Sequence, residues 1–157
     1  MEPRMNVHAI GGNLMKAMYQ LGIYLSKSSV EQRILHLIYY RVSQINGCAF
    51  CLDMHSKDLL TMGETAQRLL LLDAWREVPF YTDRERAAFA WVEAVTTLPN
   101  KQVPDQVYQQ AREQFSEEEL LDLTAATIAI NGYNRLNIAF QVPGGSYVPG
   151  QFAAKTA

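Results

Sequence analysis

Residues 41–55 read Arg41-Val-Ser-Gln-Ile-Asn-Gly-Cys48-Ala-Phe-Cys51-Leu-Asp-Met-His55. Asn46-Gly47 breaks this stretch in two, because both residue types tolerate the left-handed backbone that ends a helix. Upstream of the break, Val30, Ile34, Leu37, Ile38, Val42 and Ile45 repeat with the 3.6-residue period of a helix buried on one face. Ser28 and Glu31 have the spacing of a capping box and predict a start there, with the helix running to about Gln44. A second helix is expected to begin near Cys48 and to end near Gly63.

The same pattern extends in both directions. Downstream, Glu64 to about Ala74 reads as a third helix, with Leu69 to Leu72 as its apolar block and Pro79 closing the region. Thr82 and Glu85 predict the start of another helix, through Leu98, and the Asp83 to Arg86 charges read as its first turn with a solvated face. Pro99 and Pro104 bracket a loop before a short helix from Asp105 to about Gln114. Ser116 and Glu119 form a further capping box, ahead of a long helix to about Phe140. Upstream, Met5 to Tyr24 reads as a helix interrupted at Gly11-Gly12. No strand pattern competes, so the expected fold class is all-α, a single-domain helical bundle over residues 1–141. Residues 142–157, rich in glycine and proline, are expected to be a flexible or interface-bound tail.

The bulk properties exclude several functions. A chain of 157 residues suits one domain with a real core. Its net charge of −2, with 19% charged residues, offers no basic field for nucleic acid. No run of 18 apolar residues is present to span a membrane. The first 19 residues lack the apolar core and cleavage site of a signal peptide, and a cytoplasmic location is expected.

Both cysteines of the chain fall within residues 48–51, so a bond between them closes almost no loop and adds little stability. Cysteines at this spacing in a reducing compartment point to redox chemistry or metal. On a helix starting near Cys48, the spacing places Cys48, Cys51 and His55 on one face. The helix N-terminus favours thiolate over thiol, and the thiolate is the nucleophilic form. The three residues thus supply a nucleophile, a resolving thiol and a base, with Asp58 three residues on to orient the imidazole. Two buried structural cysteines beside a core histidine remain an alternative. So does a zinc site on Cys48, Cys51 and His55, which lacks a fourth ligand, since His8 and His36 stand alone in the sequence. A thioredoxin fold is excluded, because no strand precedes the motif.

The motif, continued by Ser56-Lys57-Asp58, resembles the AhpD-like alkylhydroperoxidase family within the carboxymuconolactone decarboxylase superfamily. Gly63-Glu64-Thr65, Ala74-Trp75-Arg76-Glu77, Thr82-Asp83-Arg84-Glu85-Arg86 and Ile130-Asn131-Gly132-Tyr133-Asn134-Arg135-Leu136 carry the likeness further, over about residues 28 to 140. The resemblance implies an all-helical subunit in a homo-oligomer, trimer or hexamer, that reduces peroxides through a dithiol cycling to a disulfide. It implies that Cys51 attacks the peroxide and Cys48 resolves the sulfenic acid, whereas the helix dipole alone favours Cys48 as the more acidic thiol. A peroxide or small disulfide as substrate and a dithiol donor, in some members a lipoylated protein, are implied as partners, with no metal, flavin or other cofactor. The chain departs from the family at His36. A relay glutamate is expected twelve residues before the first cysteine, and periodicity alone turns His36 away from the apolar stripe. Tyr19, Tyr24, Tyr39, Tyr40, Trp75 and Tyr133 are candidate pocket aromatics, more often core or interface residues. Asn131, Asn134 and Arg135 call for hydrogen-bond partners. The rival readings are a thiol-independent decarboxylase of the same superfamily and a non-enzymatic redox-sensing or zinc-stabilised module.

Overall fold

The break at Asn46-Gly47 has the backbone its residues suggest. Gly47 adopts φ +68° and ψ +33°, and its N–H and that of Cys48 return to the last turn of the preceding helix, as in a glycine-terminated C-cap. The computed structural model describes residues 2–152, and among these the regular structure is helical throughout. In chain order the helices are α1 (Val7–Ile10), α2 (Gly12–Leu25), α3 (Gln32–Asn46), α4 (Ala49–Thr61), α5 (Ala66–Leu71), α6 (Asp83–Thr97), α7 (Asp105–Gln114) and α8 (Glu117–Ala139). A 3-10 segment, Leu72–Glu77, follows α5 directly. The all-α bundle expected from the periodicity is the fold observed. None of these helices is long and apolar enough to cross a membrane.

Helix α3 lies at the centre and packs on α4, α6 and α8. With neighbours on three sides it buries a wider face than its sequence stripe, taking in Leu35, Arg41 and Ser43 as well as Ile34, Leu37, Ile38 and Val42. Leu37, Ile38, Val42, Leu59, Leu72, Phe89, Val92 and Leu123 form the fully enclosed centre of the core. The capping boxes at Thr82/Glu85 and Ser116/Glu119 are both formed. The one at Ser28/Glu31 is not. Ser28 donates to the Asp122 carboxylate, Glu31 pairs with Arg84, and α3 starts three residues later than the box requires, with Glu31 rather than Ser28 at its N-cap.

Buried ion pairs tie these helices together. Glu64, almost fully enclosed, accepts from Arg33 at 2.8 Å and from Arg68 at 2.8 Å, and Arg68 also reaches Glu85 at 2.6 Å. Arg41 of α3 holds Glu93 of α6 at 2.7 Å and also pairs with Asp73, while the Trp75 indole N–H donates to Glu93 at 2.9 Å. The first turn of α6 is therefore not a solvated face. Glu85 is buried, Arg84 pairs with Glu31 and Glu119, and Arg86 donates to the carbonyls of Trp75 and Val78.

From Val142 the chain turns back across α4. The Asp53 carboxylate accepts from the amides of Gly145 (2.8 Å) and Tyr147 (3.1 Å), and the Lys57 ammonium donates to the Tyr147 carbonyl at 2.8 Å. Gly144 crosses so close to the first turn of α4 that a Cβ there would lie 2.6 Å from the Ala49 carbonyl oxygen. This segment was expected to be flexible or to lie at an interface. As far as Phe152 it rests on its own chain, and 153–157 lie outside the described residues.

Candidate active site

Cys48 is the N-cap of α4, and its side chain makes no capping hydrogen bond, so the thiol stays available. Cys51, His55 and Leu59 follow at four-residue steps and form the buried stripe of the helix. Both cysteines are free thiols. Their side chains hydrogen-bond to each other, and that bond is the largest influence on both. It lowers the Cys48 thiol to about 7, against burial, and it raises the Cys51 thiol together with burial and the Cys48 charge. Negative charge in the resting pair therefore collects on Cys48, as the helix N-terminus favours.

Helix α8 supplies a polar edge to this pair. The Asn137 side chain donates to the Cys51 sulfur at 3.3 Å. Asn134 donates to Ser43 at 3.1 Å and accepts from Asn46 at 2.9 Å, fixing the end of α3 against α8 beside the thiols. Asn131 is drawn into the same network by Asn46 and donates to Thr96. Asn137 was not singled out from the sequence. The three-residue steps from Asn131 to Asn134 to Asn137 on one apolar helix were the available signal.

His55 is buried, and neither ring nitrogen has a hydrogen-bond partner among the described residues. Burial, aided by the nearby His36, lowers its imidazole to about 3, so it rests neutral. His36 does not lie apart on a polar face, as periodicity alone suggested. The packing of α4 onto α3 brings its ring to 6.2 Å from that of His55, and Tyr39 stands 5.4 Å from His55 and 5.8 Å from His36, so the three rings form a cluster. Burial also lowers the His36 imidazole, opposed by the Asp58 carboxylate. Asp58 makes no hydrogen bond to His55. It accepts from the Tyr147 hydroxyl at 2.9 Å. Tyr147 was missing from the sequence reading, since nothing in a glycine- and proline-rich tail marks a lone tyrosine as buried. One donor atom each from His36, His55 and Asp58 lie within 4.8 Å of one another, which makes these three the metal-capable group among the described residues.

Cys51 opens on an apolar cavity of about 230 Å³ between α2, α4 and α8. Cys51 and His55 line it, together with Met15, Tyr39, Ile130 and Tyr133 among others. Cys48 is not a lining residue. Of the candidate aromatics, Tyr19, Tyr39 and Tyr133 line the cavity, Trp75 sits in the core, and Tyr24 donates to Asp122.

The carboxymuconolactone decarboxylase family model matches residues 12–94, more than half of the chain and all of the helix pair that carries the thiols and both histidines. The chain belongs to the carboxymuconolactone decarboxylase family. Within it, this is an AhpD-like member. The uncharacterized protein YdfG of Bacillus subtilis (strain 168) is 43% identical over 139 residues, covering 88% of this chain and 95% of that protein. A crystal structure of a protein of unknown function from Agrobacterium tumefaciens, provisionally named an AhpD antioxidant defence protein, has a TM-score of 0.88 at 39% identity. That match covers 93% of this chain and 100% of the other. The debrominase Bmp8 shares the fold, with a TM-score of 0.76 at 18% identity over 87% of this chain and 73% of its own. That likeness is one of fold alone, and one helical frame can carry different reactions.

Proposed function

We propose that this protein is a dithiol peroxidase that reduces hydroperoxides through Cys51 and Cys48. The observation that carries the reading is the hydrogen-bonded thiol pair beside an apolar cavity, with Cys51 facing the cavity and Cys48 behind it. Cys51 is the attacking thiol because it meets the substrate. Cys48 holds the charge at rest, and a proton shift along the S–H···S bond transfers that charge to Cys51. The Asn137 N–H then stabilises the Cys51 thiolate.

The Cys51 sulfur attacks one peroxide oxygen. An S–O bond forms, the O–O bond breaks, and the departing alkoxide leaves as alcohol after taking a proton. Cys51 becomes a sulfenic acid. Cys48 attacks the Cys51 sulfur, the S–S bond forms, the S–O bond breaks, and hydroxide leaves as water with a second proton. An external dithiol, small or carried on a protein as a lipoyl group, reduces the disulfide and is itself oxidised. His55 passes the protons. Its neutral resting state suits a relay, because imidazolium is favoured only while a thiolate or oxyanion stands beside it. His36, at the position where the resemblance leads one to expect a glutamate, continues the relay toward Asp58.

Peroxide consumption with a dithiol donor tests this directly. Activity is expected in the native chain and is expected to vanish in Cys51→Ser, while Cys48→Ser stalls after one turnover as the sulfenic acid. Full activity in both variants would sink the reading. Exposed Leu121, Ile128 and Ile138 on α8 support assembly into a homo-oligomer, for which sedimentation is the measurement.

A further inference from the structure

His36, His55 and Asp58 come from two helices and converge without satisfying one another. The Nδ1 of His36 and both nitrogens of His55 are buried with no partner among the described residues, and His55 is only 6% exposed. Buried imidazole nitrogens left unpaired are costly, and native proteins seldom keep three so close together. Asp58 adds an unneutralised carboxylate. The nearby Lys57 ammonium pairs with Asp53 at 2.7 Å instead, and no cation pairs with Asp58 among the described residues.

We propose that His36, His55 and Asp58 form a binding site for a divalent transition cation of the zinc class. Two imidazoles and one carboxylate select zinc and its neighbours over magnesium or calcium, which prefer all-oxygen shells. Zinc holds such ligands at about 2.0–2.1 Å, so tetrahedral donors stand about 3.4 Å apart. The three donors lie within 4.8 Å of one another, and closing that gap asks for rotations of about 1.5 Å at the side-chain ends. The supporting shell is already formed. The Tyr147 hydroxyl donates to both Asp58 oxygens, at 2.9 and 3.2 Å, and orients the carboxylate as outer partners of metal ligands do. His36, His55, Asp58 and Tyr147 all border a second cavity that leaves room for water as the fourth ligand. This ligand set differs from the Cys48, Cys51 and His55 combination that the sequence spacing offers.

A metal at His55 removes the imidazole from the proton path, so zinc is expected to inhibit peroxide turnover reversibly. This consequence rests on the dithiol reading, whereas binding itself does not.

The experiment titrates zinc sulfate alone into the full chain and into the Cys48→Ser/Cys51→Ser double variant. One zinc per chain is expected in both, with affinity at least tenfold weaker in Asp58→Asn and His36→Gln and about tenfold weaker in Tyr147→Phe. Cobalt bound to the double variant is expected to give a tetrahedral d–d spectrum. In the native chain, zinc is expected to protect His36 from diethylpyrocarbonate, a readout that needs no variant. Zinc lost with the cysteines, wild-type affinity in Asp58→Asn and His36→Gln, or no protection of His36 would each overturn the site. Peroxide turnover separates the two claims. Zinc that binds without slowing turnover at least tenfold keeps the site and removes the inhibition. Turnover without zinc binding keeps the dithiol reading and removes the site.

Discussion

His36 of α3 and His55 of α4 meet nearly edge to face, with ring centroids 6.2 Å apart and planes at 79°. Neither ring is held by a hydrogen bond to the other, so the pair is arranged by the packing of the two helices that carry it. In the proposed relay this arrangement would carry protons from Cys51 toward Asp58.

Replacing His36 by glutamine removes the outer end of that path without touching either thiol. Peroxide turnover is expected to fall about a hundredfold, the low end of the range for a positioned proton-transfer group, with KM for peroxide unchanged. His36→Glu is expected to recover much of the loss. Equal rates in the two variants would show that His36 is not in the path.

The Cys48 thiol, lowered to about 7 chiefly by the hydrogen bond from Cys51, sets a titration that can be followed by thiolate ultraviolet absorbance. The thiolate is the deprotonated form, so absorbance should rise with pH and reach half its height near 7, with one thiolate per chain. Cys51→Ala removes the donor, and the midpoint is expected to move up toward the ordinary thiol range of about 8.5. A midpoint unchanged in Cys51→Ala would mean that the helix N-terminus, not the paired thiol, holds the charge.

Asn137 of α8 donates a hydrogen bond to the Cys51 sulfur. Asn137→Leu keeps the volume and drops the donor. A hydrogen bond of this kind contributes about 0.5–1.5 kcal/mol, so the rate of peroxide attack is expected to fall by up to about tenfold. Single-turnover kinetics of sulfenic acid formation is the measurement, since later steps do not involve this bond.

Arg68 stands between two buried carboxylates, Glu64 and Glu85. Arg68→Met leaves both short of a partner and is expected to cost about 3–5 kcal/mol, read as a lowered thermal midpoint. Acid adds a second readout. Burial pushes the Glu64 carboxyl up, but Arg33, the Thr65 N–H and Arg68 outweigh it and hold it below its ordinary value. The stability from these bonds is therefore present at neutral pH and lost as pH falls below about 4.3. The variant should lose less on acidification than the native chain does.

Gly144→Ala sets a methyl group 2.6 Å from the Ala49 carbonyl oxygen and 2.9 Å from its carbon, where only backbone could give way. The segment is expected to lift from α4. Hydrogen exchange at the amides of Gly145 and Tyr147, both bonded to Asp53, should speed up while the core keeps its protection. Unchanged protection would show that the crossing is looser than it stands.

Much of this molecule was legible as local pattern. The capping boxes at Thr82 and Ser116, the break at Gly47 and the helix of Asp105–Gln114 are each set by a few neighbouring residues. Ser28 and Glu31 have the same signature, but Asp122 and Arg84 compete for their side chains from distant helices, and no window on the sequence contains those partners. The site divides the same way. Cys48, Cys51 and His55 share one helix and were readable from spacing. His36, Asn137 and Tyr147 arrive from α3, α8 and the segment after it, and only tertiary packing says which way they face.

Gly47 joins α3 to α4 through one left-handed residue, and this fixes the angular phase of one helix against the other. Each residue of an α-helix advances by about 100°, so a single insertion at this joint would swing the whole of α4 by more than a quarter turn. Cys51 and His55 lie in register with Leu59, so the same swing would pull a core leucine out of place. The chemistry is therefore indexed to the fold. A change that misaligned the thiol and the imidazole would unseat the core with them, and a chain that folds at all delivers both in the same orientation.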